Sequence, residues 1–215
     1  MKEKVVIVGA GGHAKVIVEC LDKDKYDVVG YLDKDDQLIG ENINGIPIIG
    51  DDSNPFKWLE KGITGCVIGI GHVGKYQLRN ELYEKFKNAG FHMVNAIHPQ
   101  SIISSTAIIK EGTVVLPGAV INANAYVGEN VIINSRTVIE HDVVIDNGVH
   151  IAPGTVISGG SYVGMNTLIG AGTVIIQRVS IGKEAIVGAG TIVIHDIPSH
   201  VLAVGNPARI VRKVK

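Results

Sequence analysis

From Ser101 to Asp196 the apolar and polar positions recur every six residues. Written six to a row, the stretch begins SIISST, AIIKEG, TVVLPG, AVINAN and ends AIVGAG, TIVIHD, sixteen rows without insertion or deletion. The third column is Ile or Val in every row, from Ile103 to Val193. The first column is mostly Ala, Thr, Ser or Val, and the fourth is often Gly, Asn, Asp or Ser. A period of six belongs neither to a helix nor to a simple strand. It is the signature of a parallel β-helix, in which each row gives one short strand and one turn. The Ile/Val side chains point inward, and stacking the coils joins them into a continuous column. β-Branched residues suit such a stiff, pleated, buried surface.

The first hundred residues carry a different pattern. Lys4 to Val8 predicts a buried strand that runs into Gly9-Ala10-Gly11-Gly12-His13-Ala14. A helix is expected over Ala14 to Asp22, then a strand over Asp27 to Leu32 ending at Asp33. Strand, glycine loop, helix and strand open a nucleotide-binding α/β fold, where glycines admit a ligand close to the backbone and a helix start favours phosphate. Further strands are expected at Pro47–Gly50, Gly65–Gly71 and His92–Asn95, with helices at Asn54–Lys61 and Lys75–Ala89. His72 falls at the carboxyl end of a parallel strand, the side on which such sheets bind ligands. The domains are expected at 1–97 and 98–215. Ile197-Pro198 ends the repeat, and the tail, which contains Val204-Gly205-Asn206-Pro207-Ala208-Arg209, is expected to cap the last coil.

Composition narrows the function. The chain has 215 residues and a formal net charge of −1 with both signs mixed, which gives no footprint for nucleic acid. No apolar run is long enough to span a bilayer. The start MKEKVVIVGAGG reads as strand and turn rather than a signal peptide, and Cys20 and Cys66 read as structural thiols of a cytoplasmic protein.

The Rossmann-like start with its GAGGHA loop, the hexapeptide helix and the IEHD motif of Glu140-His141-Asp142 together resemble one family. It is that of the nucleotide-sugar N-acetyltransferases that acetylate a 4-amino sugar, with relatives known as sialic-acid O-acetyltransferases, all within the hexapeptide-repeat acyltransferases. The likeness covers essentially the whole chain. It implies a left-handed parallel β-helix of three rows per coil and about five coils, acetyl-CoA as co-substrate, no metal, and a homotrimer. It makes His141 the general base, a role histidine suits because its ordinary pKa lies near operating pH. Asp142 stands where family members often carry Glu, and Glu140 is the other acid that could support the base. Asn134 matches a family asparagine near the substrate amine. His150 matches a position contacting acetyl-CoA, and Ala171 and Ala189 match backbone contacts to coenzyme A. Gly11, Gly12 and His13 match contacts to phosphate or sugar. Asp33 and Lys34 match the position reading base or ribose, and Gly71 and His72 the third contact strand. With eighteen residues per coil, His141 stacks under Gly159, whose N–H could then serve a developing oxyanion. Arg209 and Arg212 could approach the phosphates of coenzyme A.

Other readings compete. Gly9, Gly11 and Ala14 formally fit a dinucleotide fingerprint, but a β-helix supplies no hydride-transfer site. A hydroxyl acceptor would keep the same fold. A zinc-binding β-helix needs facing histidines, whereas His195 ends the last row and His200 lies beyond Pro198. A non-catalytic scaffold would be expected to lack His141.

Overall fold

The computed structural model describes residues 1–72 and 74–214. The first domain is a six-stranded sheet. Its strands are β1 (Glu3–Val8), β2 (Tyr26–Leu32), β3 (Asn42–Ile43), β4 (Ile46–Gly50), β5 (Gly65–Ile68) and β6 (His92–Met93), in the order β3-β4-β2-β1-β5-β6. All pairs are parallel except β3 with β4. Strand order reverses between β1 and β5, so their carboxyl ends open a crevice there, at the topological switch point. Helix α1 is short, Gly12–Ile17, and tightens into a single turn over Val18–Cys20. Helix α2 is Phe56–Leu59 and α3 is Gln77–Ala89.

The hexad builds the second domain as expected. Each row gives a two-residue strand, and each strand pairs with those eighteen residues away, as in Val120↔Val138↔Val156↔Val174↔Ile192. Three sheets result, one per face of the coil. The column from Val115 to Val193 is buried throughout. First-column hydroxyls enter this core paired: Thr113, Thr155, Thr167 and Thr173 donate to the carbonyls of Gly128, Gly170, Gly182 and Gly188 at 2.9, 3.2, 2.8 and 3.1 Å. That removes the cost of an unpaired buried hydroxyl. The turns have their own period. Fourteen successive sixth-column residues, Gly112 to Gly190, adopt positive φ, among them Asn124, Asn130, Asp142 and Asn166. Gly, Asn and Asp tolerate that conformation best. The solenoid extends past the regular rows at both ends. Ala96–Ile97 pairs with Val114–Val115, and Val201–Val204 adds a rung on Ile186–Val187 before turning back antiparallel into Arg209–Lys213.

The two domains share packing. Ala96, Val114 and Leu116 of the first coils join a cluster with Val5, Ile7 and Ile17. Helix α3 lies along one corner of the solenoid. Lys87 meets Glu111 and Glu129 at 2.8 and 2.6 Å, Tyr83 donates to Glu129 at 3.0 Å, and Asn80 donates to Asn166 at 2.8 Å while accepting from Asn130 at 3.0 Å. A helical turn rises about 5.4 Å and stacked strands lie about 4.8 Å apart, so residues three or four apart on α3 meet successive coils.

Candidate active site

Two sites emerge, one in each domain. The first is a crevice of about 290 Å³ at the carboxyl ends of β1 and β5. Gly11, Gly12, His13, Asp33, Lys34 and Gly71 all line it. Glycines in this loop serve two different purposes. Gly9 has φ +98° and a Cβ there would fall 2.6 Å from Ile70, so the fold itself requires it. Gly11 and Gly12 have ordinary φ, and a Cβ on either would meet nothing within 4 Å. Nothing within the chain demands glycine at those two positions, and both face the open crevice. Asp33 ties the loop in place, accepting from the Ala10 N–H at 2.9 Å and the Asp35 N–H at 3.1 Å. Asp52, Leu78 and Leu82 also line the crevice, and the sequence reading did not single them out. The i, i+4 spacing of Leu78 and Leu82 on one face of α3 was the available signal.

His72 is not part of this lining. It is buried beneath the turn, where its Nε2–H donates to the Gly148 carbonyl at 3.3 Å, and its ring meets His150 edge-on at 4.9 Å. His150 thus faces the first domain. Its Nδ1–H donates to the His72 carbonyl at 2.6 Å, which leaves Nε2 to accept from Asn134 Nδ2 at 2.8 Å. Both ring nitrogens are therefore used within the chain. Burial is the largest cause holding His72 and His150 down at about 4. His13 is held at about 3, again chiefly by burial, with the Arg79 charge adding to it.

The second site is a turn of the solenoid. His141 is exposed, and its Nδ1–H donates to Asp142 at 2.8 Å. A carboxylate can only accept, so Nδ1 carries the proton and Nε2 presents a lone pair. That bond holds the Asp142 carboxyl below its usual range, and Asn124 Nδ2, at 3.3 Å, contributes further. Glu140 instead accepts from Asn122 at 3.0 Å. The acid bonded to the imidazole is Asp142. Its left-handed backbone, φ 59°, belongs to the regular turn.

Directly beyond the ring lies Gly159, where a Cβ would fall 2.6 Å from His141 Nε2 and 2.7 Å from Cε1. Gly159 does not have the positive φ that would exclude alanine, so Gly159→Ala strikes the imidazole rather than the backbone. We expect this variant to melt within a few degrees of the parent and to lose about tenfold or more in kcat, through the displaced ring. Full activity would show that the ring position is unimportant.

Ala171 and Ala189 are exposed and stack eighteen residues apart on the neighbouring corner, with no backbone carbonyl taking either N–H among the described residues. Arg209 and Arg212 lie on the exposed final strand. Neither cysteine is poised as a nucleophile, because burial pushes Cys20 up to about 12 and Cys66 well above its ordinary value. Among the described residues no group of three or more His, Cys, Asp and Glu could hold a metal ion, and His200 contacts Glu184 at 3.3 Å. No described helix is long and apolar enough to cross a membrane.

Two family models match the chain: the PglD N-terminal domain over residues 4–86 and the bacterial transferase hexapeptide repeat over residues 124–159. Among solved structures, the H141N mutant of perosamine N-acetyltransferase from Caulobacter crescentus, in complex with CoA and GDP-perosamine, is 36% identical. The match covers 98% of this chain and 97% of that one, with a TM-score of 0.91. The chain belongs to the sugar N-acetyltransferase family. The acetyltransferase domain of PglB from Neisseria gonorrhoeae, in complex with acetyl coenzyme A, is 31% identical over 98% of this chain and 100% of that one, with a TM-score of 0.88. WeeI from Acinetobacter baumannii is 26% identical over 98% of this chain and 100% of that one, with a TM-score of 0.82. This sugar N-acetyltransferase is an enzyme that uses acetyl-CoA, and it joins a glycine-loop crevice to a hexapeptide solenoid carrying an exposed His–Asp pair.

Proposed function

We propose that the chain transfers acetyl from acetyl-CoA directly to the 4-amino group of a nucleotide-linked amino sugar within a ternary complex. The amine attacks the thioester carbonyl, its proton passes to His141 Nε2, and the C–S bond breaks to release coenzyme A. The observation that carries this reading is the 2.8 Å bond from His141 Nδ1 to Asp142, which leaves the other nitrogen basic and exposed. Asp142 would also stabilise the imidazolium as it forms. The Gly159 N–H has no partner among the described residues and would serve the oxyanion. Raised thiols on both cysteines favour direct transfer over an acyl-enzyme.

In this reading the glycine-loop crevice takes the nucleotide, with Gly11 and Gly12 open toward phosphate, His13 and Gly71 at the sugar side, and Asp33 and Lys34 toward ribose or base. His72 supports this wall from behind. The free N–H groups of Ala171 and Ala189 would meet the pantetheine arm, and Asn134, backed by His150, would face the reacting groups. A homotrimer would cover exposed apolar side chains on the solenoid faces, among them Ile102, Ile108, Val144 and Tyr162. The free thiols accord with a cytoplasmic setting.

Thermal stability with UDP, GDP, dTDP or CMP, each with and without acetyl-CoA, tests the two-site reading. A ligand at one hundred times its dissociation constant should add roughly 2.7 kcal/mol. Stabilisation by acetyl-CoA and by one nucleoside diphosphate is expected. Acetyl-CoA alone, with no response to any nucleotide, would point to a free-sugar acceptor and defeat the nucleotide assignment.

A further inference from the structure

Arg79 is a buried cation that meets no acid among the described residues. Its side chain is 1% exposed, and burial lowers its pKa to about 9. The hydrogen bonds it makes go to backbone carbonyls: Nη1 donates to Ile68 and Ile70, each at 2.7 Å, and Nε donates to Asn130 at 3.4 Å. Nη2 is buried with no partner among the described residues. A guanidinium held in the interior on carbonyls alone is costly, so its placement calls for a local reason.

The reason lies in what it holds. β5 ends at Ile68, and the chain then turns through Gly69, Ile70 and Gly71, all of which line the crevice. Nη1 alone holds the carbonyls of Ile68, the last residue of β5, and Ile70 in the turn, while Nε on the same rigid plane reaches Asn130 of the solenoid, a two-nitrogen fork that a single ammonium point charge reproduces poorly. The next residue, His72, gives its carbonyl to His150 Nδ1–H at 2.6 Å. That bond fixes the His150 tautomer. His150 Nε2 must then accept from Asn134 Nδ2, which also donates to the Ile151 carbonyl at 2.9 Å. With its amide nitrogen committed to those two partners, Asn134 has Oδ1 as its remaining functional atom. The front of one turn is thus a wall of the crevice, and its back end sets the orientation of an amide on the solenoid.

We propose that Arg79 is a positioning residue that couples the nucleotide crevice to Asn134, through the Gly69–His72 turn and the tautomer of His150. This rests on the two-site reading above. A ligand pressing on Gly71 acts on the same short segment whose last carbonyl orders His150. If that carbonyl shifts, Nδ1–H loses its acceptor, the proton can move to Nε2, and Asn134 must flip its amide to keep a bond.

The test is nitrogen-15 spectroscopy of the full-length protein labelled at histidine, with His150 assigned through His150→Gln. In the parent, His150 should show one neutral tautomer, protonated at Nδ1, from pH 6 to 8. Its resonances should move when saturating GDP or UDP binds. Arg79→Lys keeps the charge and loses the fork. It should remain folded and bind acetyl-CoA with affinity within about threefold, yet show mixed His150 tautomers and a kcat lowered about ten- to hundredfold. A single unaltered tautomer with parental kcat in Arg79→Lys overturns the proposal. Should that variant fail to fold, the parent decides alone: His150 resonances that ignore a nucleoside diphosphate shown to bind overturn the inference while the functional reading stands. A parent that binds none of UDP, GDP, dTDP and CMP defeats both together.

Discussion

Replacing His141 by alanine is expected to lower kcat by about 10²–10⁴-fold while KM for both substrates changes little, the range for loss of a positioned general base. The side chain is exposed, so its removal should leave the thermal transition nearly unchanged. Asp142→Asn should fall between the parent and His141→Ala. Its amide oxygen can still accept from Nδ1, but the negative charge that stabilises the imidazolium is gone. Initial rates with acetyl-CoA and the amino-sugar acceptor, with free coenzyme A measured as product, provide the readout. Parental rates in His141→Ala would remove the base from the mechanism while leaving the fold untouched.

Stability is expected to fall steeply with acid, beginning near pH 6.5. His13, His72 and His150 are neutral in the folded protein down to about 3, 4 and 4, against an ordinary 6.5. Burial is the leading cause for each, and Arg79 adds to it in all three. Between pH 6.5 and 4 the unfolded chain binds protons that the folded chain refuses, so stability rises with pH across that window and is lost as pH drops. At pH 5 the loss is roughly 2 kcal/mol per residue, less for His13 and His150, which keep some solvent contact. Urea midpoints at pH 7, 6 and 5 measure it. His72→Gln should flatten the slope, because His72 Nδ1 is buried and has no hydrogen-bond partner among the described residues for a newly bound proton. A midpoint that holds constant from pH 7 to pH 5 would show that these rings take up protons without cost.

The location of all three histidines decides what fails first. His72 and His150 meet across the domain contact, and His13 lies under the same crevice. Protonating His150 removes the acceptor for Asn134, and protonating His72 adds charge beside Arg79. Acid should therefore loosen the contact between crevice and solenoid before it melts the Ile/Val column. The column holds no titratable group, and its hydroxyls are paired to neutral carbonyls.

The chain by itself determined the solenoid, because a strict six-residue period leaves one way to bury an Ile or Val per row. It also determined the glycine-loop α/β start and the turn that carries His141, since each rests on residues adjacent in sequence. Three features came only with the tertiary structure. The choice of Asp142 over Glu140 followed from the left-handed turn, which brings Asp142 to Nδ1 while Glu140 is taken by Asn122 on the preceding coil. The commitment of His150 to the first domain followed from a contact to His72 across seventy-eight residues, which no local pattern encodes. The role of α3 followed from the near match between helical rise and coil spacing, which lets Lys87, Tyr83 and Asn80 climb one corner while Leu78 and Leu82 line the crevice. Periodicity specifies what each element buries against its own kind. Which elements then face one another depends on packing between surfaces whose residues lie far apart along the chain.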